Sequence, residues 1–219
     1  MATSLDGGDW LVQVMPARAA RSLLRGDPPR VAPALLGAVI TSRVGGAKVT
    51  VRVTEVEAYG GVGVDPGSHA FRRQTARNAP MFGPPGNAYV YFTYGMHWCL
   101  NVVVGDRGTA GAILIRAGCV LVGQQVAWHR RPTARSAHDL ARGPARLTAA
   151  LAVDGAHNGV DLLAPASPVT IALPATGVHQ FASSPRTGVS GPGAWTMWRF
   201  HTDDPSVSPY RPARARARG

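Results

Sequence analysis

The chain has 219 residues, of which 45% are hydrophobic, and its 23 Lys and Arg residues outnumber 12 Asp and Glu to give a formal net charge of +11 at pH 7. This length and apolar content fit one folded domain and exclude a disordered chain. So large a positive charge favours a polyanionic partner, usually nucleic acid, over the alternative of a generally basic surface with a basic tail.

Cysteine, lysine and hydrophobic segments narrow the function classes further. Cys99 and Cys119 are too few for a disulfide framework or a zinc-binding motif, and Lys48 is the only lysine available for Schiff-base chemistry. The N-terminus lacks the basic and apolar regions of a signal peptide, and no apolar run is long enough to span a membrane. We therefore expect a cytoplasmic protein with reduced thiols and no membrane contact, associated with the nucleoid if its source is bacterial.

The first quarter of the chain predicts helices followed by a β-hairpin. Apolar residues at helical spacing predict a helix from Pro16 to Leu24. A second short helix at residues 33–36 leads into a strand at residues 37–42. Gly45 and Gly46 then turn the chain into an alternating strand at residues 49–59, which indicates an antiparallel pair.

Later segments predict more antiparallel strands and one further helix. Two strands between residues 88 and 104 are joined at Tyr94-Gly95, and a third covers residues 111–116. Pro144 begins a helix that extends to Ala152, and residues 195–200 alternate as a strand. The predicted fold class is α+β: a single domain with a curved, mainly antiparallel β-sheet flanked by helices, and a protruding β-hairpin. We expect a disordered N-terminus at residues 1–10, the domain at residues 11–210 and a basic disordered tail at residues 211–219.

The strand at residues 49–59 carries the only two glutamates of the chain, Glu55 and Glu57. If its alternation holds throughout, Val49, Val53, both glutamates and Tyr59 all point to one side. A buried carboxylate without a partner is costly, so this stripe either has hydrogen-bonding partners or opens into a cleft. A carboxylate in a cleft with apolar walls is a candidate general base, and we assign that role to Glu57 and a structural role to Glu55.

Aromatic and polar residues follow the glutamates at positions that fit a pocket for a flat heterocycle. The long irregular stretch at residues 60–88 carries His69, and such loops in compact domains are usually functional. Tyr89 and Tyr91 share a face of the next strand, and Asn101 lies on the return strand. Aromatic rings can stack on a base, while an amide and an imidazole can bind its edge. Tyr94, at the hairpin tip, can fill the space of a base pulled out of a duplex.

These features together resemble the alkyladenine (3-methyladenine) DNA glycosylase family, the methylpurine DNA glycosylases. The resemblance extends from about residue 16 to about residue 210. The resembling blocks are Glu55-Val56-Glu57-Ala58-Tyr59, His69, Arg73-Gln74-Thr75-Ala76-Arg77-Asn78, Met81-Phe82, Pro85-Gly86, Tyr89-Val90-Tyr91, Tyr94-Gly95-Met96, Cys99-Leu100-Asn101, Leu114-Ile115-Arg116-Ala117, Leu140-Ala141-Arg142-Gly143-Pro144-Ala145-Arg146-Leu147 and Pro185-Arg186-Thr187-Gly188-Val189-Ser190.

The resemblance implies a monofunctional DNA glycosylase of base excision repair. Such an enzyme flips alkylated purines out of duplex DNA and hydrolyses the N-glycosidic bond, with 3-methyladenine as the main substrate and 7-methylguanine, ethenoadenine and hypoxanthine as further candidates. It implies no metal, no cofactor and no lyase activity. The expected partner is double-stranded DNA that contains damaged purines, bound by a monomer.

The resemblance also implies residue roles. Glu57 activates the attacking water, and Tyr94 occupies the gap in the duplex. Asn101, at the pocket rim, rejects guanine by a clash with its exocyclic amine. The walls of the base pocket are Tyr59, His69 and Tyr91.

Four arginines are expected to bind the DNA backbone. The resemblance places Arg116 near the flipped nucleotide and matches the loop that carries Arg73. Arg142 and Arg146 flank the start of the helix at Pro144, and the N-terminal end of a helix is a favourable place for a phosphate.

Two other functions remain open at this point. A non-catalytic damage-binding protein would flip a base without cutting, although it has no need for a carboxylate beside anionic DNA. A metal-dependent nuclease could use Glu55 and Glu57 as cation ligands, and insensitivity to EDTA would exclude it.

Overall fold

The computed structural model describes residues 13–213, which form an α+β domain built around one antiparallel sheet. The strands are β1 (Val39–Ser42), β2 (Val49–Tyr59), β3 (Ala88–Thr93), β4 (His97–Val103), β5 (Ala112–Val122), β6 (Val169–Ala172), β7 (Ala182–Ser184) and β8 (Arg199–His201). The α-helices within this range are α1 (Ala17–Leu23), α2 (Pro28–Val31), α3 (Gln124–Arg130) and α4 (Pro144–Leu151). None of these helices is long and apolar enough to cross a membrane.

Strand β2 is the centre of the sheet. The main strand order is β3-β4-β5-β2-β1-β6, and β8 pairs with both β2 and β7. All of these pairings are antiparallel, and the sheet curls into a half-barrel. The prediction of a curved antiparallel sheet flanked by helices is therefore confirmed.

The hydrophobic core lies between the sheet and its helices. Val51, Val56 and Ala58 of β2 are buried in the same apolar cluster as Leu147 and Leu151 of α4. Helix α4 packs on β4 and β5, which carry the residues of the candidate site. The start of this helix is therefore fixed beside the site.

The expected single stripe along β2 is wrong, because the strand changes face near its middle. Val49, Val51 and Val53 pack into the core, and so do Val56 and Ala58, which have the opposite parity. The pairing of β2 with β5 shifts between Val53 and Glu55 and again between Glu55 and Val56. Such β-bulges let two residues of one strand face one of its partner and re-aim the side chains that follow. The glutamates therefore lie on the face away from this core.

Most other predicted elements are present, with changed bounds. The helix predicted at residues 16–24 and the strand pair around Gly45-Gly46 are confirmed. Strand β5 extends six residues beyond Arg116, and α3 was not predicted within the polar stretch at residues 124–143. The strand predicted at residues 195–200 starts only at Arg199 and ends at His201.

The β3–β4 hairpin forms as predicted, with Tyr94 at its tip. Tyr94 and Gly95 have positive φ values of 52° and 66°, the conformation that a tight hairpin turn requires. The Tyr94 side chain is 84% exposed. Projection of the hairpin beyond the rest of the domain stays a prediction. The expected disorder of residues 1–10 and of most of the 211–219 tail lies outside the described residues.

Candidate active site

A cavity of about 420 Å³ opens on the face of the sheet that carries the glutamates. Its volume is within the range of small-molecule binding sites. The β3–β4 hairpin, the loop after β2, the start of α4 and residues 187–190 form its walls. The predicted pocket residues Tyr59, His69, Tyr91 and Asn101 all line it, as do Tyr94 and Arg116.

One wall of the cavity is a cluster of three rings. The His69 imidazole meets Tyr91 edge to face at 4.7 Å between centroids, and its Nδ1 lies 3.1 Å from the Tyr89 hydroxyl. Burial, with the charge of Arg77, lowers the pKa of His69, so the imidazole is neutral at pH 7. Burial raises the pKa of Tyr89 to about 12 and that of Tyr91 further, so both phenols keep their protons.

Asn101 lies on β4 opposite Tyr89, as the hairpin register requires. It is buried, and its Nδ2 donates a hydrogen bond of 2.9 Å to the Tyr89 carbonyl. This bond fixes the amide plane beside the ring cluster. The neighbouring Cys99 also lines the cavity, and burial raises the pKa of its thiol.

Glu57 does not itself line the cavity and has no exposed surface, but its carboxylate is bound by residues that do line it. Its Oε2 accepts hydrogen bonds from the Tyr59 hydroxyl at 2.8 Å and from Arg116 Nη1 at 3.3 Å. Its Oε1 accepts one from the Thr187 amide at 2.6 Å. All three donor residues line the cavity, so the carboxylate is covered by polar groups rather than by packed hydrocarbon.

Tyr59 links Glu57 to the cavity wall. Burial, together with the Glu57 carboxylate, raises the pKa of Tyr59, so its hydroxyl stays a donor. The guanidinium of Arg186 lies 4.7 Å from the centre of the Tyr59 ring and 5.2 Å from that of Trp198. This cation–π contact holds the ring in place.

Glu57 belongs to a buried network of two arginines and two glutamates. Arg116 donates from Nε to Glu55 at 2.8 Å and from Nη1 to Glu57, so one guanidinium bridges both carboxylates. Arg199 donates to the same Glu55 oxygen at 2.6 Å. The Ser208 amide donates to the other oxygen of Glu55 at 2.8 Å. Two positive charges balance two negative ones, which is how buried charges are tolerated.

The pKa values follow from this network. Burial by itself raises the pKa of Glu55, but the charges of Arg116 and Arg199 and the Ser208 hydrogen bond outweigh it, so the pKa is lowered overall. Burial works against the charge of Arg116, and the two glutamates reverse that effect and raise its pKa. Both side chains are therefore ionised at neutral pH. The structural role expected for Glu55 is consistent with this arrangement.

The four arginines expected on the DNA backbone lie in different environments. Arg116 is only 7% exposed and is held by both glutamates, which argues against the backbone-anchoring role. Arg142 donates to the Val207 carbonyl at 2.8 Å, and Arg146 pairs with Asp139, both beside the start of α4. Arg73 is exposed on the loop after β2.

Two residues at the site were missed by the sequence analysis. Asp65 had no assigned role, yet it forms a bidentate ion pair with the fully buried Arg186, at 2.6 and 2.7 Å. This pair ties the loop after β2 to the segment that bears Thr187. A Cβ on Gly67 would lie 2.7 Å from Arg186 Nη2, so the close approach requires glycine there. The Asp-Pro-Gly sequence at residues 65–67 was the only sequence feature that could have drawn attention to Asp65.

Thr187 offers a polar atom that is still free. Its Oγ1 is buried and has no hydrogen-bond partner among residues 13–213, although the residue lines the cavity. Buried hydroxyls are normally satisfied, so one beside a cavity is available to a ligand or a water molecule.

Comparison with known proteins agrees with the cavity and its residues. The family model described as methylpurine-DNA glycosylase (MPG) matches residues 22–206. The chain belongs to the methylpurine-DNA glycosylase family. A protein of Streptomyces avermitilis named "Putative 3-methyladenine DNA glycosylase" is 53% identical over 192 residues, which cover 86% of this chain and 89% of that one. Proteins of the same name from Leifsonia xyli subsp. xyli and Mycobacterium tuberculosis are 47% and 45% identical, over 89% and 88% of this chain and 93% and 95% of theirs.

In this methylpurine-DNA glycosylase family member, the matched region contains every residue of the cavity wall. Within the described part of the chain, no group of three His, Cys, Asp or Glu side chains is arranged to hold a metal ion. Both glutamates instead have arginine partners.

Replacing Glu55 with glutamine tests the buried network. Glu55→Gln leaves Arg116 and Arg199 without the charge that joins them, so we expect a loss of about 3–5 kcal/mol in unfolding free energy at neutral pH. The pKa of Glu55 is lowered from 4.5, so its stabilisation is present above pH 4.5 and is lost as pH falls through the folded-state pKa.

Urea unfolding at neutral pH and at several pH values below 4.5 measures both effects. The difference between wild type and Glu55→Gln should shrink on acidification. Asp106→Asn, which removes a surface ion pair with Arg25, is the control and should cost less than about 1 kcal/mol. A difference that is independent of pH would contradict the charge argument.

Proposed function

We propose that this protein is a monofunctional 3-methyladenine DNA glycosylase that hydrolyses the bond between an alkylated purine and its deoxyribose. The single observation that carries the proposal is the Glu57 carboxylate, held by three cavity-lining donors beneath a ring-walled pocket. The family and the printed names of the relatives support the same reaction.

The cavity can receive a purine only after that purine leaves the duplex. Its volume of about 420 Å³ can hold one flat heterocycle, and a base inside a duplex has to be extruded before it can enter such a pocket. Tyr59, His69 and Tyr91 present ring surfaces to the base. Asn101 and the free Thr187 hydroxyl provide polar contacts at its edges.

Glu57 acts as the general base once a water molecule replaces one of its protein donors. The Arg116 contact is the longest of the three, at 3.3 Å, and Arg116 also faces the cavity. Water therefore enters most easily between Arg116 and Glu57. The Tyr59 and Thr187 hydrogen bonds keep the carboxylate oriented during this exchange.

The reaction is a hydrolysis at the anomeric carbon C1′ of the sugar. Glu57 takes a proton from the water, the water oxygen forms a bond to C1′, and the bond to the purine nitrogen breaks. The purine leaves with the electron pair of that bond, which neutralises its positive charge if it was alkylated. The sugar passes through an oxocarbenium-like state, as in glycoside hydrolysis. The products are a free base and an abasic site.

The pocket suits purines that already carry a positive charge. A neutral purine needs an acid to protonate it as it leaves, but the titratable groups that form the ring-bearing walls resist that role. Burial raises the pKa of the Tyr59 and Tyr91 phenols, and it lowers the pKa of His69, which is therefore not an imidazolium at neutral pH. The faces of the tyrosine rings attract cations. Cationic lesions such as 3-methyladenine and 7-methylguanine are thus the main substrates, and hypoxanthine is a poor one.

Double-stranded DNA binds across the cavity mouth as the partner of a monomeric enzyme. Tyr94, at the exposed tip of the hairpin, fills the space of the extruded purine. Arg73 and Arg146 have exposed side chains, and Arg142 lies beside α4, where they hold phosphates. Arg116 instead belongs to the buried charge network of Glu55 and Glu57 and is not available to hold a phosphate.

The two alternative functions are less well supported. A metal-dependent nuclease needs Glu55 and Glu57 as cation ligands, but guanidinium groups already neutralise both carboxylates. A damage-binding protein without catalysis has no use for a carboxylate held at the floor of the pocket.

Glu57→Gln is the direct test of the mechanism. Glutamine keeps the shape of the side chain but cannot accept the proton of water, so we expect release of 3-methyladenine from methylated duplex DNA to fall by about 10²–10⁴-fold. Binding to the same DNA should persist. Free base is measured by chromatography, with EDTA present in a parallel reaction and Asp106→Asn as the control. Full release by Glu57→Gln would remove Glu57 from the mechanism, and EDTA sensitivity would support the nuclease instead.

A panel of oligonucleotides tests the preference for cationic lesions. Each duplex carries one 7-methylguanine, 3-methyladenine or hypoxanthine in the same sequence, and single-turnover release is divided by the spontaneous rate. We expect the ratio for the cationic lesions to exceed that for hypoxanthine by at least about 10²-fold, the usual contribution of an acid catalyst. Equal ratios for hypoxanthine, with a rate that rises as pH falls, would instead show that the pocket supplies an acid.

Tyr94→Ala tests whether the Tyr94 ring acts as a wedge that fills the space of the extruded purine. Loss of the ring should weaken binding to a duplex with one lesion by about 5- to 150-fold, the equivalent of about 1–3 kcal/mol of base stacking. Binding to single-stranded DNA should change less, because no gap forms there. Tyr94→Phe keeps the ring and should bind like wild type, and equal losses on both substrates would argue against a wedge.

A further inference from the structure

A second exposed aromatic side chain lies near the cavity and is unused by the mechanism. Trp195 is 81% exposed, and Met197, on the same segment, is 49% exposed. Large aromatic side chains in water are typical of surfaces that bind another molecule.

The backbone of this segment starts at the cavity wall. Val189 and Ser190 line the cavity, and a Cβ on Gly193 would lie 3.0 Å from the amide nitrogen of Gly67, which also lines it. Trp195 follows Gly193 by two residues, so the two Cα atoms are at most about 8 Å apart. The backbone of Trp195 is therefore close to the cavity wall.

Both ends of the segment are held by the buried core. Arg186 Nη2 lies 3.5 Å from the Gly193 carbonyl, and the Trp198 carbonyl accepts from the Ala58 amide at 2.8 Å. A side chain presented from a fixed backbone loses little freedom on binding. Trp195 is thus well placed as a preformed contact.

A positive charge accompanies the tryptophan. The Gly188 amide donates to the Arg211 carbonyl at 3.0 Å, so Arg211 is fixed beside the cavity-lining residues 187–190. Arg211 is exposed to solvent. Aromatic rings beside arginines are the combination that binds nucleic-acid strands, through base stacking and phosphate contacts.

We propose that residues 188–197 and Arg211 form a second DNA-binding surface, the 188–197 rim. Trp195 packs on a base exposed beside the flipped purine, and Arg211 contacts a phosphate of the same strand. This inference rests on the proposed function, because it places the flanking strand by the position of the pocket. It adds to the Tyr94 wedge, which lies on a different wall of the cavity.

Trp195→Ala provides the first test. A duplex with one abasic site is the probe, because it has no base to occupy the pocket and is not consumed. We expect its Kd, from fluorescence anisotropy, to rise by about 5- to 150-fold, while Trp195→Phe retains most of the affinity. A wild-type Kd for Trp195→Ala overturns the proposal.

Arg211→Ala provides the second test, through the salt dependence of binding. Loss of one phosphate contact should reduce the slope of log K against log salt by about 1. Arg107→Ala is the matched control, because Arg107 is an exposed arginine on another cavity, beside Arg18 and Arg25. If the slope for Arg211→Ala equals that of wild type, Arg211 does not contact a phosphate and is not part of the DNA-binding surface.

These results remain separate from the proposed function itself. If the wild-type protein binds the abasic duplex but releases no alkylated base, the proposed function fails. The Kd values of the variants still show whether the 188–197 rim binds DNA. If it releases the base and Trp195→Ala binds normally, only the rim is overturned.

Discussion

The structure depends on one guanidinium group shared between two carboxylates. Arg116 contacts Glu55 through Nε and Glu57 through Nη1, in a region closed to solvent on one side and facing the cavity on the other. Without Arg116, the two buried carboxylates would lose the cation that bridges them, and a buried charge without a partner is unfavourable. Without Glu55 and Arg199, Arg116 would be free to turn away. The network therefore places a guanidinium group beside Glu57 and pairs all four buried charges.

That arrangement exists because β2 changes face. The strand has to fill the core with Val51 and Val53 and then direct Glu57 toward the opposite side of the sheet. A regular strand could not do both with this sequence, because residues of equal parity share a face. The bulge around Glu55 makes the change within two residues. One face of β2 therefore packs into the hydrophobic core, and the other carries the two glutamates and their arginine partners.

The loop after β2 is positioned by a second buried ion pair rather than by regular structure. Arg186 joins Asp65 and covers the ring of Tyr59, while its neighbour Thr187 donates to Glu57. Residues more than 120 positions apart thus form the two sides of one pocket. This contact explains why a long loop with little helix or strand can hold His69 in a fixed place.

The sequence by itself determined the strand pairs around Gly45-Gly46 and Tyr94-Gly95, the α+β class and the residues that gather at the cavity, because alternation and turn residues act locally. The resemblance to a family supplied the reaction and the roles. Only the tertiary structure decided which face Glu57 occupies, that Arg116 is buried as its partner, and that Asp65 and Thr187 belong to the site. Those features depend on a bulge and on contacts between distant segments, and neither local periodicity nor composition encodes where distant charges meet.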